Sequence, residues 1–431
     1  MNSVPRFLPV LLLCGAVPGG APAYGAAGSL DPTFGKGGLV VTTFATKAAP
    51  YQDAIPVDAA LQADGKIVVA MGFDNSAIAT EALGAVRYLA NGTLDKTFGK
   101  SGVTMTAFTN FINSPASLAL QSDGKIVVAG TASSSDGTVS EFAVARFTAG
   151  GALDTTFGTG GKVTTNFVGV MPGGVSNPAN VVLIQPDGKI VVGGGASQCA
   201  KCVHSAALAR YNPNGSLDAS FGKGGMVTAT AIASVTNLAL DDAGDILALN
   251  GAAVVEFSPA GALTAITSAP ITVFGHGFFA ASAFQPNGSF LVAEGVADAG
   301  RHDIDTQVVR FFQTGAIDFG FNNAPFDFTG EGGTATDEAS SIALETNGQV
   351  VAGGSHFAGG FDVFGVARLN SNGSMDSTFG TGGALITSFP GQTSAAVTAV
   401  LVQPDGKIVA VGQTLNSSEI ANLALARYLG Q

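Results

Sequence analysis

The phrase Gln403-Pro404-Asp405-Gly406-Lys407, followed by the apolar run Ile408-Val409-Ala410-Val411, constrains this chain more than any other feature. Asp-Gly between two apolar runs marks a β-hairpin. It predicts a two-residue type I′ turn, whose central residues both need positive φ. The phrase recurs at Asp64-Gly65, Asp123-Gly124, Asp187-Gly188, Ala243-Gly244, Asn287-Gly288 and Asn347-Gly348, making seven with Asp405-Gly406. By subtraction the turn glycines lie 59, 64, 56, 44, 60 and 58 residues apart. Self-similarity at such a period is the signature of a repeat architecture.

Each repeat reads as four short strands. An alternating run such as Ala116 to Leu120 precedes the turn, and an apolar run such as Ile126 to Ala129 follows it. A third run ends in an aromatic or leucine residue: Leu83 to Tyr88, Phe142 to Phe147, Ala206 to Tyr211, Ala253 to Phe257, Gln307 to Phe312, Val363 to Leu369 and Leu423 to Tyr428. Then come a polar turn such as Asn212-Pro213-Asn214-Gly215, the phrase Leu217-Asp218-Ala219-Ser220-Phe221-Gly222, and a fourth run such as Met226 to Ala229. Four antiparallel strands repeated seven times describe an all-β, seven-bladed β-propeller of four-stranded blades. A parallel β-helix fits less well, because parallel neighbours need longer crossovers than a hairpin turn. The two ends complement each other. Leu39 to Thr43 is a fourth strand with no first three before it, and Leu423 to Tyr428 is a third strand with no fourth after it. Their pairing would close the ring and remove two open edges.

Third strands carry an arginine, and an aspartate follows eight residues later. The pairs are Arg87 and Asp95, Arg146 and Asp154, Arg210 and Asp218, Arg310 and Asp318, and Arg368 and Asp376. Arg427 has no following aspartate, but Asp31 is free at the other end of the chain. In repeat four Glu256 and Thr264 replace both partners together. A charge ring for a ligand is one reading. A structural ion pair in each blade is the better one, since a site seldom needs the same pair in every repeat, and the Arg fork suits a partly buried carboxylate. The Gln62, Gln121, Gln185, Gln285 and Gln403 series, with Asp241 and Glu345 substituting, ends each first strand as a turn brace or as a ring at the channel mouth.

The phrases Leu153-Asp154-Thr155-Thr156-Phe157-Gly158 and Gln185-Pro186-Asp187-Gly188-Lys189-Ile190-Val191-Val192 resemble the delta-60 repeat family, over about Ser29 to Tyr428. The resemblance implies an exported bacterial β-propeller with no known activity. Repeat four, and the start of repeat six at Ile317-Asp318-Phe319-Gly320-Phe321, depart from that pattern.

The N-terminus reads as a signal peptide over residues 1–23. Arg6 precedes an apolar run from Phe7 to Val17, and Ala21-Pro22-Ala23 is an A-x-A type cleavage site. The run is too short to span a membrane, so residues 24–431 are expected as one propeller domain, secreted or in the periplasm or cell envelope. A net charge of −12 without any Lys/Arg block excludes a phosphate-backbone binder. No nucleic acid, no cofactor and no membrane span are expected, and the ring should be a monomer.

In such a blade the turns between first and second and between third and fourth strands share one face. The irregular connections lie on the other, where a rigid scaffold presents function. All four histidines, His204, His276, His302 and His356, fall in the irregular set, with Asp303, Asp305, Asp337 and Glu338 nearby in sequence. His276, His302 and His356 are the candidates for acid–base or metal chemistry. Against that, loop polar residues cluster by default, and no metal-ligand spacing occurs. Cys199 and Cys202 read first as a local disulfide in an exported chain. Haem attachment fails because Val203 stands where histidine is needed. The sequence thus supports a non-catalytic module binding a protein or glycan ligand on its loop face. The alternative is a hydrolase or lyase acting at the axial opening.

Overall fold

The computed structural model describes residues 25–44, 53–75, 80–109, 111–168, 170, 176–198, 204–251, 253–268, 279–298, 303–329, 335–358 and 360–430. Their strands form seven separate antiparallel sheets. Blade one comprises Asp53–Leu61, Ile67–Asn75, Thr80–Tyr88 and Val103–Thr106, in that spatial order. Blades two, three, four and six repeat the order, starting at Phe111, Ala179, Asn237 and Thr336. Blade seven takes Gln392–Val402, Ile408–Asn416 and Ala421–Tyr428, and its fourth strand is Leu39–Thr42. The register there runs from Leu39 opposite Ala426 to Thr42 opposite Leu423, so the ring is closed by its own N-terminal strand.

Two local features differ from the sequence expectation. The first is the hairpin turn. Gln185 N–H bonds Lys189 O at 2.8 Å and Gly188 N–H bonds Gln185 O at 2.9 Å, so the loop holds three residues, not two. Gly188 has φ of 81°, while Asp187 is not among the residues with positive φ. This is a type I turn followed by a left-handed glycine, the three-residue hairpin with a bulge. Proline favours the choice in three turns, where Pro186, Pro286 and Pro404 sit at the first central residue of a type I turn, which needs φ near −65°; Ala63, Ser122, Asp242 and Thr346 hold that place in the other four. The Asp187 carboxylate then accepts the Lys189 N–H at 3.1 Å.

The second is blade five, whose sheet has only three strands, Phe279–Phe284, Phe290–Asp298 and Asp303–Phe311. In the fourth place a single bridge joins Thr306 to Phe326. The segment after Asp318 lacks the glycine pair of the other repeats and contains Pro325, which has no N–H to give a ladder.

The apolar core is divided by junction. Blades seven and one share Val409, Leu425, Val69 and Val86. Equivalent clusters fill the other six junctions. Among the described residues the clusters hold twelve to fourteen buried members each, except between blades four and five, where Leu247, Leu249, Val254, Phe290, Val292, Val309 and Phe311 are the only seven.

Candidate functional site

The repeated arginines build the turn face. Arg87, Arg146, Arg210, Arg310, Arg368 and Arg427 each place Nε 2.8–2.9 Å from Asp95, Asp154, Asp218, Asp318, Asp376 and Asp31 respectively. Each guanidinium also stacks 4.4–4.8 Å from the phenylalanine three residues past its aspartate, such as Phe221 beside Arg210. The remaining Nη1 reaches into the next blade. It donates to the turn carbonyl of Ala149, Pro213, Pro259, Ser371, Gly430 and Ala90 respectively. In five of those turns the next residue, such as Gly150, Asn214 and Ala260, accepts a backbone N–H from the preceding blade at 2.7–2.8 Å, and in blade seven Ala27 O accepts Gly380 N–H at 3.1 Å. The arginine is therefore a bond between blades as well as within one. Burial alone would raise the aspartate pKa values. Hydrogen bonds from Thr33 and Ser220, with the arginine charge, instead hold Asp31 and Asp218 down at about 2. Gln403 and Glu345 lie against the same arginines, Gln403 3.5 Å from Arg427 and Glu345 3.6 Å from Arg368, which places that series at the braces.

Between blades four and five this arrangement stops. Glu256 replaces the arginine, and Thr264 donates to its side chain at 3.1 Å.

The ring axis carries a cavity of about 430 Å³ to which all seven first strands contribute. One residue of the first strand is extruded as a β-bulge in six blades, at Val57, Ala116, Asn180, Ala280, Ser340 and Thr398. Bulges re-aim side chains at the rims of closed sheets. Here they turn small polar groups inward and tie neighbouring blades. Asp58 accepts from Ser117 Oγ at 3.0 Å and from Leu118 N at 2.8 Å. Asn180 donates to Val235 O, Asn237 to Ser282 O, and Ser341 accepts Val400 N at 3.0 Å. Burial raises the Asp58 pKa against its two hydrogen bonds from Ser117 and Leu118 and a third from Ala59 N. Asp58 is the one carboxylate among the described lining residues, and the rest are Ser, Thr, Asn, Gly and aliphatic side chains.

Of the histidine candidates, His356 lies away from this cavity. It sits on the second strand of blade six opposite Asp337, with Nδ1 2.8 Å from Asp337 Oδ1, both side chains buried. Asp337 also accepts Phe328 N, while burial raises its pKa. Glu338 is exposed one residue on. His204 starts the third strand of blade three, on the other side of the ring. His276, His302, Cys199 and Cys202 fall outside the described residues, as does the signal segment.

Sequence reasoning missed Glu294. It is buried, its Oε2 has no hydrogen-bond partner, and burial raises its pKa. It faces blade four, on the side of Phe290 and Val292. The signal was present: Gly130, Gly194, Gly354 and Gly412 hold this position in four other repeats. At Gly194 a Cβ would meet Pro178 O at 2.0 Å.

Residues 62–98, 121–157, 185–221, 345–379 and 403–430 match the family model described as "Domain of unknown function (DUF5122) beta-propeller". These five stretches are similar to that repeat family. They fall in blades one, two, three, six and seven, and each carries the arginine of its inter-blade bond. Blades four and five, which flank the irregular junction, lie outside the matched stretches. No curated protein matches the chain. Among solved structures, a protein of unknown function from Dyadobacter fermentans DSM 18053 is similar at 11% identity, covering 91% of this chain and 100% of that one, with a TM-score of 0.49. One from Bacteroides caccae is similar at 15% identity over 80% and 97%, TM-score 0.37. An alpha-L-arabinofuranosidase of Fusarium graminearum, solved with arabinobiose, is similar at 11% over 90% and 97%, TM-score 0.46. At these values nothing of their function carries over. No helix among the described residues is long and apolar enough to cross a membrane.

Proposed function

We propose that this propeller is an exported, non-catalytic binding module that holds a protein ligand on the face of the irregular connections. The supporting observation is the distribution of exposed apolar side chains. Ile55, Ile112, Phe357 and Phe361 are exposed near the loop ends of their strands, and exposed Val168 lies three residues past the fourth strand of blade two. Phe357 and Phe361 are 44% and 57% exposed on one hairpin, whose two strands fix their spacing. Apolar groups presented on a rigid frame favour a protein surface, where aromatic anchors supply most of the contact energy. A glycan is less suited. Tyr88, Tyr211 and Tyr428 are buried, Trp is absent, and three of the five exposed groups are aliphatic. A hydrolase or lyase at the axis is disfavoured by the position of His356, held against Asp337 away from the channel lining. Export is inferred from the N-terminal apolar segment and its A-x-A site.

The test is retention from an envelope and secretome extract on immobilised protein. A partner kept by wild type and by Phe319→Ser, but released by Phe357→Ser/Phe361→Ser, supports the reading. Binding on a glycan array, or retention unchanged in the double variant, overturns it.

A further inference from the structure

At six junctions the turn face is filled by an arginine from the preceding blade, which pairs with its aspartate, stacks on a phenylalanine and donates to the next blade's turn. At the junction of blades four and five the receiving turn is Phe312 to Gly315. Among the described residues no donor of blade four reaches Gln313 O or Thr314 O, the counterparts of Pro259 O and Ala260 O. Instead a cleft of about 430 Å³ opens there, lined among others by Asp241, Asp242, Leu247, Phe284, Gln285 and Gln313. Glu256 pairs in register with Leu247 on its wall. The sequence around the cleft is one-sided in charge: between Lys223 and Arg301 there are six Asp or Glu residues and no Lys or Arg.

We propose that this cleft is a docking site for an arginine side chain of a partner protein, which supplies in trans the group the other six junctions supply in cis. Each element of the intramolecular pattern has a counterpart here. The carboxylates of Asp242 and Glu256 offer the charge partner that Asp218 gives Arg210. Phe284 offers an aromatic ring, and Gln313 offers the turn carbonyl. A planar guanidinium satisfies all three kinds of partner at once, whereas an ammonium is a compact, strongly hydrated point charge without the fork. The site is on the turn face, opposite the loop face assigned to the protein ligand above, so either assignment can fail without the other.

The experiment titrates the folded chain with acetyl-Gly-Arg-Gly-amide, followed by calorimetry and ligand-observed NMR. The citrulline and lysine analogues serve as controls. The arginine peptide should bind, and both analogues should bind about tenfold more weakly, a difference of ~1.4 kcal/mol. Asp242→Asn/Glu256→Gln should weaken binding about fivefold, as expected for exposed charge pairs. Glu256→Arg/Thr264→Asp, which rebuilds the junction in cis, should abolish it. If the rebuilt variant does not fold, the Asn/Gln variant still decides, because Asp242 is exposed and glutamine keeps an acceptor for Thr264. No binding, equal binding of the three peptides, binding unmoved by the variants, or a response to calcium chloride alone would overturn the proposal.

Discussion

The junction between blades three and four and the junction between blades four and five share one blade, yet they are built differently. In the first, Arg210 holds Asp218, stacks on Phe221 and bonds Pro259 O across the gap, while Gly222 N–H bonds Ala260 O at 2.8 Å. Gly261 sits over the same ring, where a Cβ would meet Phe221 at 2.9 Å. In the second, the arginine, the aspartate and the stacked phenylalanine are gone at once, replaced by Glu256, Thr264 and the sequence Leu263-Thr264-Ala265-Ile266, although the receiving turn keeps its glycine as Gly315. What remains is the smaller apolar cluster and the axial bond from Asn237 to Ser282 O. Arginine, aspartate and phenylalanine thus behave as one unit. Losing the arginine alone would leave a buried carboxylate without its counter-ion, which costs more than losing the pair.

The comparison is tested most strongly where the latch also closes the ring. Deleting residues 25–44 removes the fourth strand of blade seven together with Asp31 and Phe34, both buried. It exposes Leu423 and Leu425 along an open edge, which invites edge-to-edge pairing. A loss of more than about 4 kcal/mol is expected, beyond the ordinary range of single substitutions, together with oligomers on size exclusion. A monomer with an unchanged urea midpoint would show that the clasp is dispensable. Next in size is the contrast between single residues. Arg210→Ala should lower stability by about 3 kcal/mol, because Asp218 stays buried with only the Lys189 ammonium, 3.3 Å away, as counter-charge. Glu256→Ala should stay within about 0.5 kcal/mol. Equal shifts in urea melts of the two variants would erase the distinction between the junctions.

Much of this was legible in the residues. The seven Asp-Gly, Asn-Gly and Ala-Gly turns mark seven hairpins because only a residue tolerant of positive φ fits there, and the complementary ends announce the closing strand. The turn type is less legible: a proline favours a type I turn over its mirror image in three repeats, but the other four adopt the same loop without one. The eight-residue spacing exposes the Arg–Asp pair. It cannot expose the bond to the next blade, since Arg146 and Pro213 are 67 residues apart. The axial bulges leave no residue-type signature: valine, alanine, asparagine, serine and threonine all occupy them. Blade five keeps the Arg–Asp pair but loses its fourth strand, because that strand depends on the glycine pair and on free N–H groups further along.

Acid titration sharpens the comparison from the side of the regular junctions. The Asp31 and Asp218 pKa values fall from 3.8 unfolded to about 2 folded. A carboxyl with a depressed folded pKa contributes stability that is fully present above 3.8 and is lost as pH falls through about 2. Urea melts between pH 5 and pH 2 should therefore show a steep decline. Asp218→Asn should flatten part of that slope while starting from a lower plateau. An unchanged slope would mean that the latch carboxylates are not what acid attacks.

The smallest expected effect comes from Glu294 at the irregular junction, and its sign is opposite. Burial raises its pKa above the ordinary 4.5, and among the described residues no hydrogen bond or opposite charge offsets it. The folded state therefore binds this proton more tightly than the unfolded state does. Below pH 4.5 both states are protonated and the group is neutral to stability. As pH rises through 4.5 toward the folded value, ionisation favours the unfolded chain, so stability falls and stays lower at neutral pH. Glutamine keeps the shape and cannot ionise. Glu294→Gln should thus be more stable than wild type at pH 7 and equal to it at pH 4, by urea melts at the two pH values. A Glu294→Gln variant less stable than wild type at pH 7 would mean that the ionised carboxylate has a partner holding it, and that this junction is as well satisfied as the six latched ones.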